Sequence, residues 1–292
     1  MRKNILYADR VKGDLELGLE PSRLGGDGEK AWARADFPGK RMPGMADQHI
    51  YESSVTQKFE IGTKREEYGR TFRYGQAGEA LTLAGHARLV GNGNFVPDAT
   101  SYPDVDGFYG KPYAQVEVDD LYIDLDIATA YPANYFQGGY IIAFTAAVDY
   151  SLHYIVKSDL GNGTYCRIYL DRAWASGVVA VTIDVEVSRS PYSSICDCHS
   201  INWFKSFVGL GHCDAILNEY YFWLQTKGPC WLTPYNWAGD CPGYTTRLRE
   251  VYAWSDGEIR TDPNDGTLQR IGYLLSATEA GFGSVFIMLQ LE

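Results

Sequence analysis

The chain has 292 residues, enough for one large or two moderate β-domains with cores of their own. Apolar residues make up 45% and charged residues 22%, a balance that excludes a disordered or fibrous chain. The 37 acids and 26 bases leave a net charge of −11, which argues against nucleic acid as a partner because phosphate is held mainly by Lys and Arg.

The 22 tyrosines and the 14% aromatic content favour half-buried pleated surfaces and subunit interfaces. From Met1 to Leu6 the chain starts basic and turns charged again soon after, so no secretory leader is expected. The longest apolar stretch, Tyr140 to Val148, is too short to span a bilayer, and no membrane partner is expected. Six cysteines, Cys166, Cys196, Cys198, Cys213, Cys230 and Cys241, are too few for a disulfide scaffold and read as reduced, mostly buried thiols.

Residues 1–50 hold seven Gly and three Pro, with no sustained period of 2 or 3.6. They read as an extended N-terminal arm lying along a partner's surface. From residue 51 to 112 a β-hairpin region gives way to a linker. Phe59 and Ile61, then Phe72 and Tyr74, alternate with polar residues, and a charged piece between them forms a hairpin or short loop. The Gly/Asn/Pro/Asp-rich residues 91–112 form the linker.

A β-domain is expected over 113–195. Leu121, Ile123, Leu125 and Ile127 alternate with Tyr122, Asp124 and Asp126, giving one buried and one wet face. Val179, Val181, Ile183, Val185 and Val187 share one face of a second strand. Gly161-Asn162-Gly163-Thr164 predicts a type I′ turn. A C-terminal β-domain follows over 196–292. There Tyr220–Thr226 and Cys230–Leu232 flank Lys227-Gly228-Pro229 as a hairpin, pairing Trp223 with Trp231. Asp262 to Gly266 predicts a turn, and Arg270–Leu275 and Val285–Leu291 read as strands, both faces near Phe286 being covered. No long amphipathic helix is expected. The fold class is all-β, with one or two barrel- or sandwich-like domains behind the arm.

Several stretches carry a resemblance when taken in order. Asn134-Tyr135-Phe136-Gln137-Gly138-Gly139-Tyr140-Ile141-Ile142 is followed by His153-Tyr154-Ile155-Val156, Ile168-Tyr169-Leu170-Asp171-Arg172 and Ser190-Pro191-Tyr192. Tyr221-Phe222-Trp223-Leu224-Gln225-Thr226-Lys227-Gly228-Pro229 and Arg270-Ile271-Gly272-Tyr273-Leu274 close the set. Over residues 110–292 this succession resembles the head decoration, or capsid cement, proteins of tailed bacteriophages. The resemblance implies a β-barrel-like virion protein on the outer surface of the capsid. It would bind the major capsid protein and sister copies of itself, often as a homo-oligomeric trimer, with no catalytic residue, cofactor or metal. An alternative is a tail- or fibre-associated module that binds glycans through exposed Tyr and Trp.

Other patterns point to chemistry with less specificity. Cys196, Cys198, His199, His212 and Cys213, with Cys230 and Cys241, are of zinc-ligand type, yet Cys-Asp-Cys lacks the usual spacing. Cys198 with His199, or Cys213 with His212, would make a nucleophile and base, but sequence neighbours in a strand point to opposite faces. Asp124 and Asp126, about 7 Å apart on one strand face, could serve a carbohydrate-active enzyme as acid and base; the bland account is a solvated face. Asp104, Asp106, Asp119 and Asp120 lack the calcium-loop pattern. Gly25 to Lys30 lacks phosphate-loop spacing, Gly91-Asn92-Gly93 lacks a third glycine, and Asn162-Gly163-Thr164 is a formal glycosylation sequon.

Overall fold

The computed structural model describes residues 47–82, 89–92, 107–117, 119–146, 149–174, 184–197, 206–213, 215–232, 249–254, 257–261, 268–276 and 285–292. It is all-β, with no helix among the described residues. The chain forms two compact units: residues 1–93 with 194–292, and residues 94–193.

The strands in chain order begin with β1 (Lys64–Glu67), β2 (Arg70–Gln76), β3 (Leu81–Thr82) and β4 (Leu89–Asn92). The second unit contributes β5 (Gly107–Gly110), β6 (Tyr122–Asp126), β7 (Tyr140–Ala146), β8 (Asp149–Ser158), β9 (Tyr165–Leu170) and β10 (Val185–Ser188). The chain then re-enters the first unit with β11 (Ile195–Asp197), β12 (Phe207–Gly211), β13 (Ala215–Ile216) and β14 (Tyr221–Leu232). It ends with β15 (Glu250–Ala253), β16 (Ile259–Arg260), β17 (Arg270–Ser276) and β18 (Val285–Gln290).

In the first unit a ten-stranded sheet runs β11-β4-β12-β14-β18-β17-β15-β16, with β2 joined to β14 and β1 to β2; β3 and β13 form a small separate pair. The sequence sets residues 51–112 apart from the C-terminal domain. Instead β2 pairs with β14, and β4 with β11 and β12, so these early strands are built into the C-terminal sheet. Their partners lie more than a hundred residues away, beyond what a local pattern reports.

Of the hairpin and the short loop expected for the charged piece, the hairpin is formed, with β1 as its first arm. The chain turns into β2 through Tyr68 and Gly69, both at positive φ, the signature of a two-residue hairpin turn. Arg65 of β1 is buried: it donates to the Gln48 carbonyl at 3.0 Å, lies 3.3 Å from Glu67 and stands over the Trp223 ring.

Gln48, fully buried, also corrects the boundary of the arm. Its amide donates to the carbonyls of Glu52 and Tyr221, its Oε1 accepts from the Tyr74 hydroxyl, and its backbone carbonyl accepts from Trp223 Nε1. Residues 47–50 therefore belong to the folded unit. The remainder of the arm, residues 1–46, lies outside the described residues. Phe59, Tyr74 and Trp223 pack beside Gln48 with ring centroids 4.9–5.2 Å apart.

The expected hairpin at Lys227-Gly228-Pro229 is not a reversal. Tyr221–Leu232 is one continuous strand, so Trp223 and Trp231 are eight residues apart along it rather than cross-strand neighbours. The strand exchanges partners where the turn was expected. Residues up to Lys227 pair with β2, those from Lys227 onward pair with β18, and the register slips between Gln225 and Lys227.

Gln225, fully buried, holds this kink: its Nε2 donates to the carbonyls of Lys227 and Pro229 at 3.2 and 3.1 Å. Backbone groups displaced by the bulge are thus satisfied by a side chain. Gly228 sits at φ +100° against the Gly69 carbonyl, a conformation and a closeness that admit no Cβ. Over β17 and β18 the expected alternation holds, with Val285, Ile287 and Leu289 buried, but Phe286 is exposed rather than covered.

The second unit is a six-stranded sheet in the order β5-β10-β7-β8-β9-β6. Residues 111–113, continuing from β5, hydrogen-bond to β6: Tyr113 N–H donates to Asp124 O at 2.7 Å, and Asp126 N–H to Lys111 O at 3.0 Å. One stretch of chain therefore joins both ends of the strand order, which makes the sheet barrel-like and leaves few free edges. Ile123, Leu125, Ile141, Ile155, Ile168, Val185 and Trp174 fill its core.

The expected alternation in β6 and at Val185 and Val187 is present, although Leu121 is exposed and Val179, Val181 and Ile183 lie outside the described residues. The turn at 161–164 differs in type. Gly163 has positive φ and Asn162 does not; Asn162 Oδ1 instead accepts the N–H groups of Thr164 and Tyr165 at 2.8 Å, an Asx-type turn. The turn expected at Asp262–Gly266 lies outside the described residues.

Candidate functional site: the outward face of the barrel

Strand β8 departs from the usual rule that one side of a barrel strand is apolar and the other polar. Its inward side buries His153 and Ile155. Its outward side presents Leu152 (41% exposed), Tyr154 (38%) and Val156 (42%), and Tyr140 (45%) stands opposite Tyr154 on β7. The two tyrosine rings meet edge to face at 5.7 Å, and half-buried Ile142 extends the strip opposite Leu152. An exposed contiguous apolar strip is the usual mark of an interaction site.

Charges beside the strip are matched within the face. Arg167 on β9 faces Asp124 on β6 across the ladder and grips both carboxylate oxygens, at 2.7 and 2.8 Å, while its guanidinium covers the Tyr122 ring at 4.1 Å. Hydrogen bonding to Asp124 raises the proton affinity of Arg167 further, against the smaller opposing effect of burial. Lys157 contacts Asp159 at 2.7 Å, and the Tyr169 hydroxyl donates to the other oxygen of Asp159 at 2.9 Å. These bonds hold the Asp159 carboxyl below its ordinary range and lift the Lys157 ammonium above its own. Tyr113 stacks on Tyr165 at 5.2 Å. The face is therefore aromatic and aliphatic; Arg167 and Lys157 beside it are paired with carboxylates, while exposed Arg172 donates to the Leu152 carbonyl at 2.9 Å.

Among the described residues no three His, Cys, Asp or Glu side chains form a metal-binding group. Cys166, Cys196, Cys213 and Cys230 are buried, and burial pushes the Cys166 and Cys230 thiols up to about 11 and about 12. His212 pairs with Gln225 through Nε2 at 2.8 Å. Because the amide nitrogen of Gln225 is committed to two carbonyls, its oxygen must accept, so the His212 proton is on Nε2. Cys198, His199, Cys241, Asp104, Asp106 and Gly25–Lys30 lie outside the described residues.

Of the two candidate acid–base carboxylates, Asp124 has both oxygens engaged by Arg167, and Asp126 is exposed. Asp120 caps the N–H of Glu117, and Asp119 takes positive φ in the same turn. Asn162 is exposed but uses its side-chain oxygen to hold its turn. The outward strip itself was legible only as the run Leu152 to Val156, apolar at nearly every position. Comparisons with protein-family models, with curated proteins and with solved structures gave no match.

Proposed function

We propose that the chain is a virion structural protein that decorates and stabilises the capsid of a tailed bacteriophage. In this reading it lies on the outer surface of the shell, binds the major capsid protein and associates with sister copies, as a trimer. The ordered motifs between Asn134 and Leu274 support the reading. The observation that carries it is the exposed apolar strip of Tyr140, Leu152, Tyr154 and Val156, beside which Arg167 and Lys157 are paired with carboxylates. Such a surface gains from being covered by another protein and has little free positive charge to offer nucleic acid. Many copies each closing a small apolar contact would add up to resistance against internal pressure.

The test is imaging of assembled particles, with the chain located and counted. Density over the whole shell in many copies is the expected result; density confined to the tail would refute it. Leu152→Glu should lower particle occupancy at least tenfold. A glycan-binding tail module is the second reading, favoured by the stacked and exposed Tyr113 beside Tyr165. It predicts few copies per particle and sugar binding lost in Tyr113→Ala.

A further inference from the structure

The inward side of β8 carries a second constellation. Ser151 and His153 share a face because alternate residues of a strand do so. Ser151 Oγ lies 2.6 Å from His153 Nε2, and His153 Nδ1 lies 3.8 Å from Asp171 Oδ1. Asp171 is fixed to the same strand: its Oδ1 accepts the Tyr154 N–H at 3.1 Å, and its own N–H donates to the Tyr154 carbonyl at 3.0 Å. The imidazole is buried against Trp174, ring centroids 4.1 Å apart, while Ser151 is half-buried and Asp171 exposed.

The Ser–His bond satisfies Nε2, and the other side of the ring faces the Arg172 backbone and the Asp171 carboxylate. Nδ1 is buried without a well-formed hydrogen bond, and Asp171 Oδ1 lies 3.8 Å from it. Buried polar atoms without partners are few in native proteins and call for a reason. A carboxylate on the Nδ1 side keeps the proton there and leaves the Nε2 lone pair to receive the serine proton. Burial, and then the charge of Arg172, lower the proton affinity of His153; Asp171 and the Arg172 backbone act the other way. The ring is therefore neutral near pH 7, the form a general base requires.

We propose that Ser151 is a nucleophile activated by His153, with Asp171 as a positioning residue, and that it acts on carboxylic esters. Ser151 Oγ forms a bond to the carbonyl carbon as its proton passes to Nε2. The bond to the leaving alkoxide oxygen then breaks, and the alcohol departs with that proton. Water, deprotonated by the same Nε2, cleaves the acyl-serine, releasing the acid and restoring the hydroxyl. General-base assistance alone contributes about 10²–10⁴-fold, so the signature is selective labelling with slow turnover.

The test treats the full-length chain with a fluorophosphonate. Attack by Oγ breaks the P–F bond, fluoride leaves, and the proton goes to His153. The expected result is one adduct on the peptide containing Ser151, absent in Ser151→Ala. Its rate should rise with pH to a plateau, with a midpoint below the usual 6.5 of histidine. His153→Gln should slow labelling by about 10²-fold or more. Asp171→Asn, at an exposed position, should slow it by about tenfold and move the midpoint lower. No adduct at Ser151, or a rate that ignores His153→Gln, overturns the proposal. If His153→Gln does not fold, a wild-type rate that stays flat between pH 5 and 8 overturns it equally.

Discussion

Replacing Gly228 by alanine tests whether the kink in β14 is what lets one strand serve two partners. The residue sits at φ +100°, and a Cβ there would lie 2.6 Å from the Gly69 carbonyl oxygen and 2.9 Å from Arg70 Cα. Both neighbours are backbone atoms, one in the β1–β2 turn and one at the start of β2, so neither can rotate away as a side chain would. Conformational strain of an L-residue at positive φ costs about 1–2 kcal/mol, and forcing a methyl into a filled space costs about 1–3 kcal/mol more. The expected loss is about 2–5 kcal/mol, a large part of an ordinary domain's stability.

Gly69→Ala supplies the control. It too has positive φ, at +76°, but nothing lies within 4 Å of its added Cβ, so only the strain of about 1–2 kcal/mol applies. Guanidinium unfolding followed by tryptophan fluorescence compares the two, provided the slopes agree. Equal midpoints for the two variants would refute the account of Gly228 as a point of close approach.

Four further outcomes are expected. Gln225→Leu leaves the Lys227 and Pro229 carbonyls and His212 Nε2 without their partner; at about 1–3 kcal/mol for a stranded buried group, the loss should be about 2–4 kcal/mol in denaturant unfolding. His153 and His212 both have proton affinities lowered chiefly by burial. The unfolded chain therefore binds protons first, and stability should fall as the pH drops below about 6.5; thermal melts of His212→Gln should show a shallower decline. A thiol reagent at pH 8 should leave Cys166 and Cys230 unmodified until denaturant is added, because both are buried and their thiols are pushed up. Asp124→Asn should cost about 1 kcal/mol and weaken the salt dependence of unfolding, since the bidentate pair is only partly exposed.

The elements that could be read in advance are those whose stability is local. β6 and β10 alternate apolar and polar residues because each has one side on a core, and that periodicity needs no knowledge of partners; β18 shows as an apolar run. β14 could not be read in this way. Gly228 and Pro229 signal a reversal, and the signal is overridden by β2 and β18, which lie far away in sequence and hold both halves of the strand.

Its charge leaves β1 between a hairpin arm and a loop. Lys64-Arg65-Glu66-Glu67 has no apolar side, and Arg65 takes that place by covering Trp223 and donating to Gln48. The outward strip was half visible, as a strand apolar on both sides, but which side lacked a cover depends on barrel closure. Ser151, His153 and Asp171 carry no recognisable spacing. The hydrogen bonds between Tyr154 and Asp171 bring them together, and no motif of neighbouring residues encodes that.

The division of the chain has a consequence for the order in which the protein can be made. Residues 94–193 form a unit continuous in sequence, whereas the other unit draws on both ends of the chain. As the polypeptide leaves the ribosome, the barrel has all its strands while the larger sheet still lacks β12, β14 and β18. Strand β2, synthesised early, waits for Tyr221–Lys227, its partner in β14. During that interval the apolar side of β2, with Phe72 and Tyr74, has no cover from the sheet that later buries it. Translation speed between residues 94 and 220 therefore sets how long this edge stays exposed, and with it the window for mispairing between nascent chains.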